Sequence, residues 1–234
     1  MRRLVEHELL DELPATDPRA TASRADLRRL NFLMGHSGIL RRAVGNHLSA
    51  KPPPGRPWRV VELGAGDGSL ALMLARRWAA AGITGELTLV DRQNVLSPGT
   101  VRAFAALNWS VQVAAADVFD WLGQPAPPAD LMYANLFLHH FHDDRLRALA
   151  EAAATRTALF VACEPRRAAA ALTASRLVGL IGCNSVTRHD AVVSVRAGFV
   201  TGELSRFWPA AAGWTLGDRP AGLFSQCFVA RRHD

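Results

Sequence analysis

The chain has 234 residues, 49% hydrophobic and 21% charged, which is enough apolar content for one full core and too balanced a composition for a disordered chain. No run approaches the ~18 consecutive apolar residues of a membrane span, and the amino-terminal MRRLVEHELLDELPATDP has no apolar signal core, so a cytoplasmic protein without a membrane span is expected. The net charge of +6 rests on arginines in scattered pairs, with Lys51 the only lysine, a pattern that argues against a nucleic-acid face.

In chain order, residues 2–13 place Leu4, Val5, Leu9, Leu10 and Leu13 on one helical face. A second helical pattern covers 23–48, with Ser23 as its N-cap and a break expected at Gly35 and Gly38 in MGHSG. KPPPGRP (51–57) excludes helix and central strand, and divides an N-terminal helical unit, 1–50, from the rest of the chain, 58–234.

Beyond this linker the pattern alternates. Strands are predicted at 58–63, 86–91, 109–115, 130–138 and 157–163, and helices at 69–81, 98–107, 144–154 and 166–180. Strands separated by helices imply right-handed crossovers and a parallel sheet covered on both faces. Residues 183–199 break the alternation and read as a substrate loop with a short helix. The last two strands, within GWTLGDRPAGLFSQCFVARR, are joined too tightly for a helical crossover and must form an antiparallel hairpin at the sheet edge.

VVELGAGDGS (60–69) stands where an open α/β sheet binds its ligand, beyond the carboxyl end of the first strand. Its glycines fall at 64, 66 and 68, whereas a dinucleotide fingerprint needs the third at 69, which is serine. Glu62 before the loop would repel a phosphate and favours a ligand carrying positive charge. Asp91 closes the second strand, where a carboxylate can accept from both hydroxyls of a ribose. Asp117 closes the third, in reach of an exocyclic amine. Either aspartate alone could be a turn former; three acidic positions in register with a glycine loop are harder to attribute to turns.

ELGAGDG, Asp91, Asp117 and DLMYANLFLHHF on the fourth strand together resemble class I S-adenosylmethionine-dependent methyltransferases, over residues 55–232. The resemblance implies an α/β, Rossmann-like, seven-stranded mostly parallel sheet with helices on both faces. It places Gly64, Ala65, Gly66 and Gly68 under the methionine part of S-adenosyl-L-methionine, with Glu62 and Asp67 at its ammonium group. Asp91 would hold the ribose and Asp117 and Val118 would read the adenine, with Arg92 and, at the end of the fourth strand, Asn135 as further expected cofactor contacts.

The cofactor carries the electrophilic methyl group, so the protein has to position a nucleophile and, for a hydroxyl, take its proton. LHHFHD resembles the histidine segment of small-molecule O-methyltransferases, with His139 aligned to the base and His140 where that family commonly has an acid. His189 is a further candidate base. Glu164 in VACEP is expected to orient the base or touch the substrate, or to be a helix-start carboxylate. NLF lacks the proline-rich tetrapeptide of enzymes that methylate amino groups of bases or glutamine.

The N-terminal helices are expected to form a lid over the acceptor pocket, from which Asn31, Met34 and His36 could reach a substrate. A built-in lid suits a small acceptor, aromatic or polyketide-like, with O-methylation favoured and C-methylation of a quinone-like ring as the alternative. A non-catalytic binding module, an NAD-dependent oxidoreductase and an RNA methyltransferase fit the motifs less well. Cys163, Cys183 and Cys227 include no CxxC pair, so neither zinc nor a disulfide framework is expected, and no metal centre is assigned. Whether the protein is a monomer or a homodimer stays open.

Overall fold

Seven strands form one sheet: β1 (Trp58–Leu63), β2 (Gly85–Asp91), β3 (Trp109–Ala115), β4 (Ala129–Asn135), β5 (Thr157–Pro165), β6 (Trp214–Ala221) and β7 (Ser225–Arg232). The computed structural model describes residues 1–49, 51–209 and 213–233, and no helix among them is long and apolar enough to cross a membrane. The strand order is β3-β2-β1-β4-β5-β7-β6. The first five strands are parallel, whereas β7 runs antiparallel to both of its neighbours. The hairpin is thus at the edge, as its short connection requires, with β7 inserted between β5 and β6.

Helices α4 (Ser69–Ala79), α5 (Pro98–Ala105), α6 (Val118–Gly123), α7 (Asp143–Arg156), α8 (Ala169–Arg176) and α9 (Ser185–Ala197) follow successive strands and cover the sheet. Every residue of β4 is buried. Leu131 and Tyr133 pack with Trp78 and Trp109 on one face, and Met132 and Ala134 pack with Leu146 and Leu149 on the other. A parallel strand buried on both faces has no polar side, which is why β4 reads as a continuous apolar run.

The N-terminal unit departs most from the expected pattern. Helix α1 is only Leu9–Glu12, and residues 1–8 form no regular element. Their polar groups bond elsewhere in the fold: Leu4 N–H donates to the Arg196 carbonyl (3.1 Å), and Arg3 to the carbonyls of Ala197 (2.8 Å) and Phe141 (2.8 Å). Helix α2 (Pro18–Leu33) starts before Ser23, because Asp17 caps it and Pro18 fits the first turn. Ser23 instead lies inside the helix and donates to Asn184 (3.0 Å). Gly35, at φ +69°, breaks the chain before α3 (His36–Val44), as expected.

Two further differences concern the catalytic half. Helix α6 was not foreseen, and residues 183–199 hold the 13-residue helix α9, whose Asn184 side chain accepts from Thr187 N–H (2.8 Å). The proline-rich linker is clamped to the sheet. Arg56 donates to both carboxylate oxygens of Asp130 at 2.7 Å, and Asp130 also accepts from Arg59 N–H (2.8 Å).

Candidate functional site

The glycine loop turns its amides inward. Gly64 and Ala65 N–H donate to the Val90 carbonyl (2.8 and 3.1 Å), and Gly66 N–H donates to Asp91 Oδ2 (2.8 Å). Gly68 N–H bonds Ala65 O (3.0 Å), and Ser69 N–H bonds Asp67 (3.0 Å). A phosphate cradle depends on free amides converging on an anion, and these are already engaged.

The glycines serve different ends. A Cβ on Gly64 would stand 2.2 Å from the Phe137 ring, and one on Gly68 would stand 2.7 Å from Leu96. Those two glycines are therefore required by packing within the protein. Gly66, at φ +54°, has nothing within 4 Å of its Cβ position and presents open backbone. Gly64→Ala is expected to destabilise the protein by at least 1 kcal/mol more than Gly66→Ala, since both bear the ~1–3 kcal/mol strain of a left-handed residue but only the first displaces a ring. Urea unfolding of the two variants checks this order.

The acidic residues stand at successive strand ends. Glu62 is 2% exposed and lies against Tyr133 on the neighbouring strand, yet its Oε2 and the Tyr133 hydroxyl both lack a well-formed hydrogen bond. Burial raises its carboxyl well above the usual range, Tyr133 offsets part of this, and the nearby Asp67 and Asp91 add to it. Asp91 accepts from Gly66 and Gln93 N–H (2.8 and 2.9 Å), which leaves each oxygen a lone pair for a ligand hydroxyl. Asp117 caps α6 by accepting from Phe119 N–H (2.8 Å), and Val118 is the buried first residue of that helix.

The N-terminal helices reach this cleft as well. Arg28 of α2 pairs with Asp67 (2.6 Å), Arg24 donates to Gln93 (3.0 Å), and Arg92 pairs with Asp11 (3.3 Å). Asn135 Nδ2 donates to Asn31 Oδ1 (3.0 Å), while its own Oδ1 is buried without a partner. Thus Asp67 is charge-paired by a lid arginine, whereas Glu62 Oε2 and Asn135 Oδ1 are unmatched acceptors. Two such acceptors, the open Gly66 backbone and the spare lone pairs of Asp91 fit a ligand that brings an ammonium group and a ribose.

The turn after β4 builds the second part of the site. Leu136 takes φ +52°, uncommon for a branched residue, and the 3₁₀ turn Leu138–His140 follows. Glu164, fully buried at the end of β5, holds this turn by accepting from Phe137 N–H (3.1 Å), Leu138 N–H (2.9 Å) and His139 Nδ1 (2.8 Å). Since a carboxylate only accepts, the His139 proton on that side is on Nδ1. His139 Nε2 faces Glu8 Oε1 (3.1 Å), and His140 Nε2 faces Glu8 Oε2 (3.2 Å). Burial alone would lower the His139 pKa, but the bonds to Glu164 and Glu8 outweigh it and raise it to about 9. Burial likewise opposes the charge of Glu8, and the two imidazoles outweigh it, holding that carboxyl well below the usual range.

A cavity of about 430 Å³ has Glu8 of this cluster in its wall, while His139, His140 and Glu164 do not line it. Its wall is mainly apolar, formed by α2, α8, α9 and Leu136, with the polar groups of Glu8, Asp190 and Ser194 at one side. Met34 lines it, whereas Asn31 and His36 do not. His36 is fully buried between Asn31 Oδ1 (2.7 Å) and Ser225 Oγ (3.0 Å). His189 is half-exposed beside Asp190 (3.0 Å), and only Asp190 of the pair lines the cavity.

Burial lowers the His36 pKa from 6.5 to about 4. The unfolded chain therefore takes up a proton in that window which the folded chain refuses. Stability falls as pH drops from 6.5 to 4, by at most about 3 kcal/mol. Urea unfolding across this range should show a flatter pH dependence in His36→Gln; equal slopes in both proteins would remove His36 from the account.

Glu8 is the site residue that sequence reasoning missed. One acidic side chain in a helix-like amino terminus carries no signal of a partner more than a hundred residues away. Leu136 and Ser194 were missed for the same reason, since backbone strain and helix-face pairing appear only in three dimensions.

Comparison with known proteins agrees with this geometry. Residues 60–157 match the methyltransferase-domain family. Trans-aconitate 2-methyltransferase of Streptomyces avermitilis is 32% identical over 141 residues, covering 58% of this chain and 46% of that protein, so the match spans about half the relative's length. The fold is similar to plantazolicin methyltransferase BamL, solved with a triazolic desmethylPZN analog and SAH (TM-score 0.66, 11% identity, 96% and 93% of the two chains). It is also similar to an O-methyltransferase family protein from Burkholderia thailandensis (TM-score 0.60, 16% identity, 94% and 61%). Over residues 60–157 the chain thus matches the methyltransferase-domain family, and its fold is shared with the solved methyltransferases it resembles.

Proposed function

We propose that the protein transfers a methyl group from S-adenosylmethionine to an oxygen of a small, largely apolar acceptor, aromatic or polyketide-like. The observation that carries this reading is the mainly apolar cavity whose wall includes Glu8, the carboxylate that faces His139 and His140. S-adenosylmethionine, when bound, supplies an activated methyl group that needs no further activation by the protein. Glu62, Asp91, Asp117 and Asn135 would hold it by accepting hydrogen bonds, and the Gly66 backbone would let it approach closely. The lid excludes water and orients the acceptor, and the histidine–carboxylate cluster receives the acceptor's proton.

Glu8 and Asp190 place two carboxylates in the cavity wall, which disfavours a polyanionic acceptor such as the one the Streptomyces relative is named for. The test is to incubate the protein with labelled S-adenosylmethionine and a panel of phenols, quinones, alkylresorcinol-like compounds and polycarboxylates, then locate the methyl by mass spectrometry. Methyl on a phenolic oxygen is the expected result. Methyl on ring carbon would favour C-methylation, and preferential methylation of polycarboxylates would overturn the acceptor class. A protein stabilised by NADH and not by S-adenosylhomocysteine would overturn the whole reading.

A further inference from the structure

The Glu8–His139–His140 cluster contains an interaction that hydrogen bonding does not explain. His139 stands between two carboxylates, its Nδ1 on Glu164 Oε2 (2.8 Å) and its Nε2 on Glu8 Oε1 (3.1 Å). His140 Nε2 lies 3.2 Å from the other oxygen of the same carboxylate, yet it is buried and no hydrogen bond of acceptable geometry reaches it. A proton shared between His139 and Glu8 would satisfy the first contact and leave the second as an ion pair without a well-aligned hydrogen bond. A cation among all three groups would satisfy both.

We infer that Glu8, His139 and His140 form a binding site for a divalent transition-metal ion of the zinc class, joining the N-terminal lid to the end of β4. One ligand atom from each of the three residues lies within 4.8 Å of the other two. Ligands at about 2.0–2.2 Å from a tetrahedral zinc are separated by roughly 3.3–3.6 Å, and here each imidazole stands 3.1–3.2 Å from its own oxygen of Glu8, so small side-chain shifts would admit an ion. Two imidazoles and a carboxylate suit zinc and its neighbours, and disfavour magnesium and calcium, which take oxygen ligands.

The outer contacts match such a site. Glu164 accepts from His139 Nδ1, the carboxylate–histidine arrangement that fixes a metal-binding imidazole in its tautomer. Ser194 donates to Glu8, and Arg3 donates to the His139 carbonyl (3.2 Å), so lid and turn are held in place around the cluster. Three protein ligands leave a fourth position open. Because Glu8 lines the cavity, that position is available to an oxygen of the acceptor, a role that rests on the methyl-transfer reading, whereas metal binding itself does not.

The site also explains why no metal centre was visible in the sequence. Its ligands are one glutamate and a histidine pair separated by 131 positions, with none of the spacing of a CxxC or HxxxH motif. The lid brings them together.

Titration of tag-free, EDTA-dialysed protein with zinc chloride by calorimetry, and with cobalt(II) by visible absorption, tests the inference. One equivalent of zinc should bind, and cobalt should give the intense visible band of a low-coordinate site. Glu8→Gln and His140→Ala should each weaken zinc at least 100-fold, and Glu164→Gln 10- to 100-fold, while His189→Ala should match the wild type. Thermal melts of each apo variant identify any that fail to fold; His140→Ala removes only a partly exposed ring and is the decisive variant should Glu8→Gln unfold. No saturable zinc binding at 100-fold molar excess, or equal affinity in wild type and His140→Ala, would overturn the inference. S-adenosylhomocysteine is titrated into the same apo protein. Its binding without zinc binding sinks only the metal site, and zinc binding without it sinks only the cofactor reading.

Discussion

His139→Ala is expected to lower turnover by about 10²- to 10⁴-fold while changing S-adenosylhomocysteine affinity by less than threefold. The asymmetry follows from position. His139 lies between Glu164 and Glu8, of which Glu8 lines the cavity, whereas Asp91, Asp117 and the Gly66 backbone, the proposed cofactor contacts, stand at other strand ends. The expected loss is the same whether the imidazole receives the proton directly or holds a metal that does its work. Removing the ring also leaves two buried carboxylates without their shared partner, which can cost several kcal/mol of stability. Turnover must therefore be measured per folded protein, by circular dichroism alongside the methyl-transfer assay. Full activity in folded His139→Ala would remove the cluster from the chemistry.

Asp91→Ala should do the reverse and weaken S-adenosylhomocysteine by about 10- to 10⁴-fold, the equivalent of one or two charge-assisted hydrogen bonds at roughly 1.5–3 kcal/mol each. Asp91 fixes the Gly66 amide from within, and in the proposed function its remaining lone pairs would serve a ribose, so one substitution removes both. Calorimetric titration reads the loss directly. Asp11→Ala is the control, since its pairing with Arg92 is a surface contact between exposed side chains and should alter affinity very little. Equal affinities in Asp91→Ala and the wild type would show that the cofactor does not use this strand end.

The lid contacts change how the cofactor cleft is understood. Sequence reasoning assigns residues 1–50 to the acceptor alone, yet Arg24, Arg28 and Asn31 bond Gln93, Asp67 and Asn135 on the cofactor side. One element therefore touches both halves of the site. Arg28 neutralises Asp67, the acidic residue expected at the cofactor's ammonium group, so exchange of the Arg28 contact for the ligand would couple cofactor entry to lid position.

Strand positions, the terminal hairpin and the ligand class of the glycine loop were all legible in the sequence, because each depends on neighbours in the chain. Alternation of apolar runs and helical patterns defines crossovers, a short link forces antiparallel pairing, and a serine at 69 breaks the dinucleotide fingerprint. The place of Asp91 at the end of β2 and of Asp117 just after β3 was legible because each closes an apolar run. The strap of residues 1–8, the start of α2 and the length of α9 were not legible. Their hydrogen bonds go to Ala197, Phe141 and Asn184, partners that local propensity cannot name. The histidine cluster shows the division most clearly. His139, His140 and Glu164 could be singled out as reactive types at strand ends, but Glu8 could not, since it joins them only when the lid folds over the sheet. Chain-local physics determined the scaffold and the face on which ligands bind, while the apolar cavity and the carboxylate between two imidazoles exist only because tertiary packing brings together segments that share no local pattern.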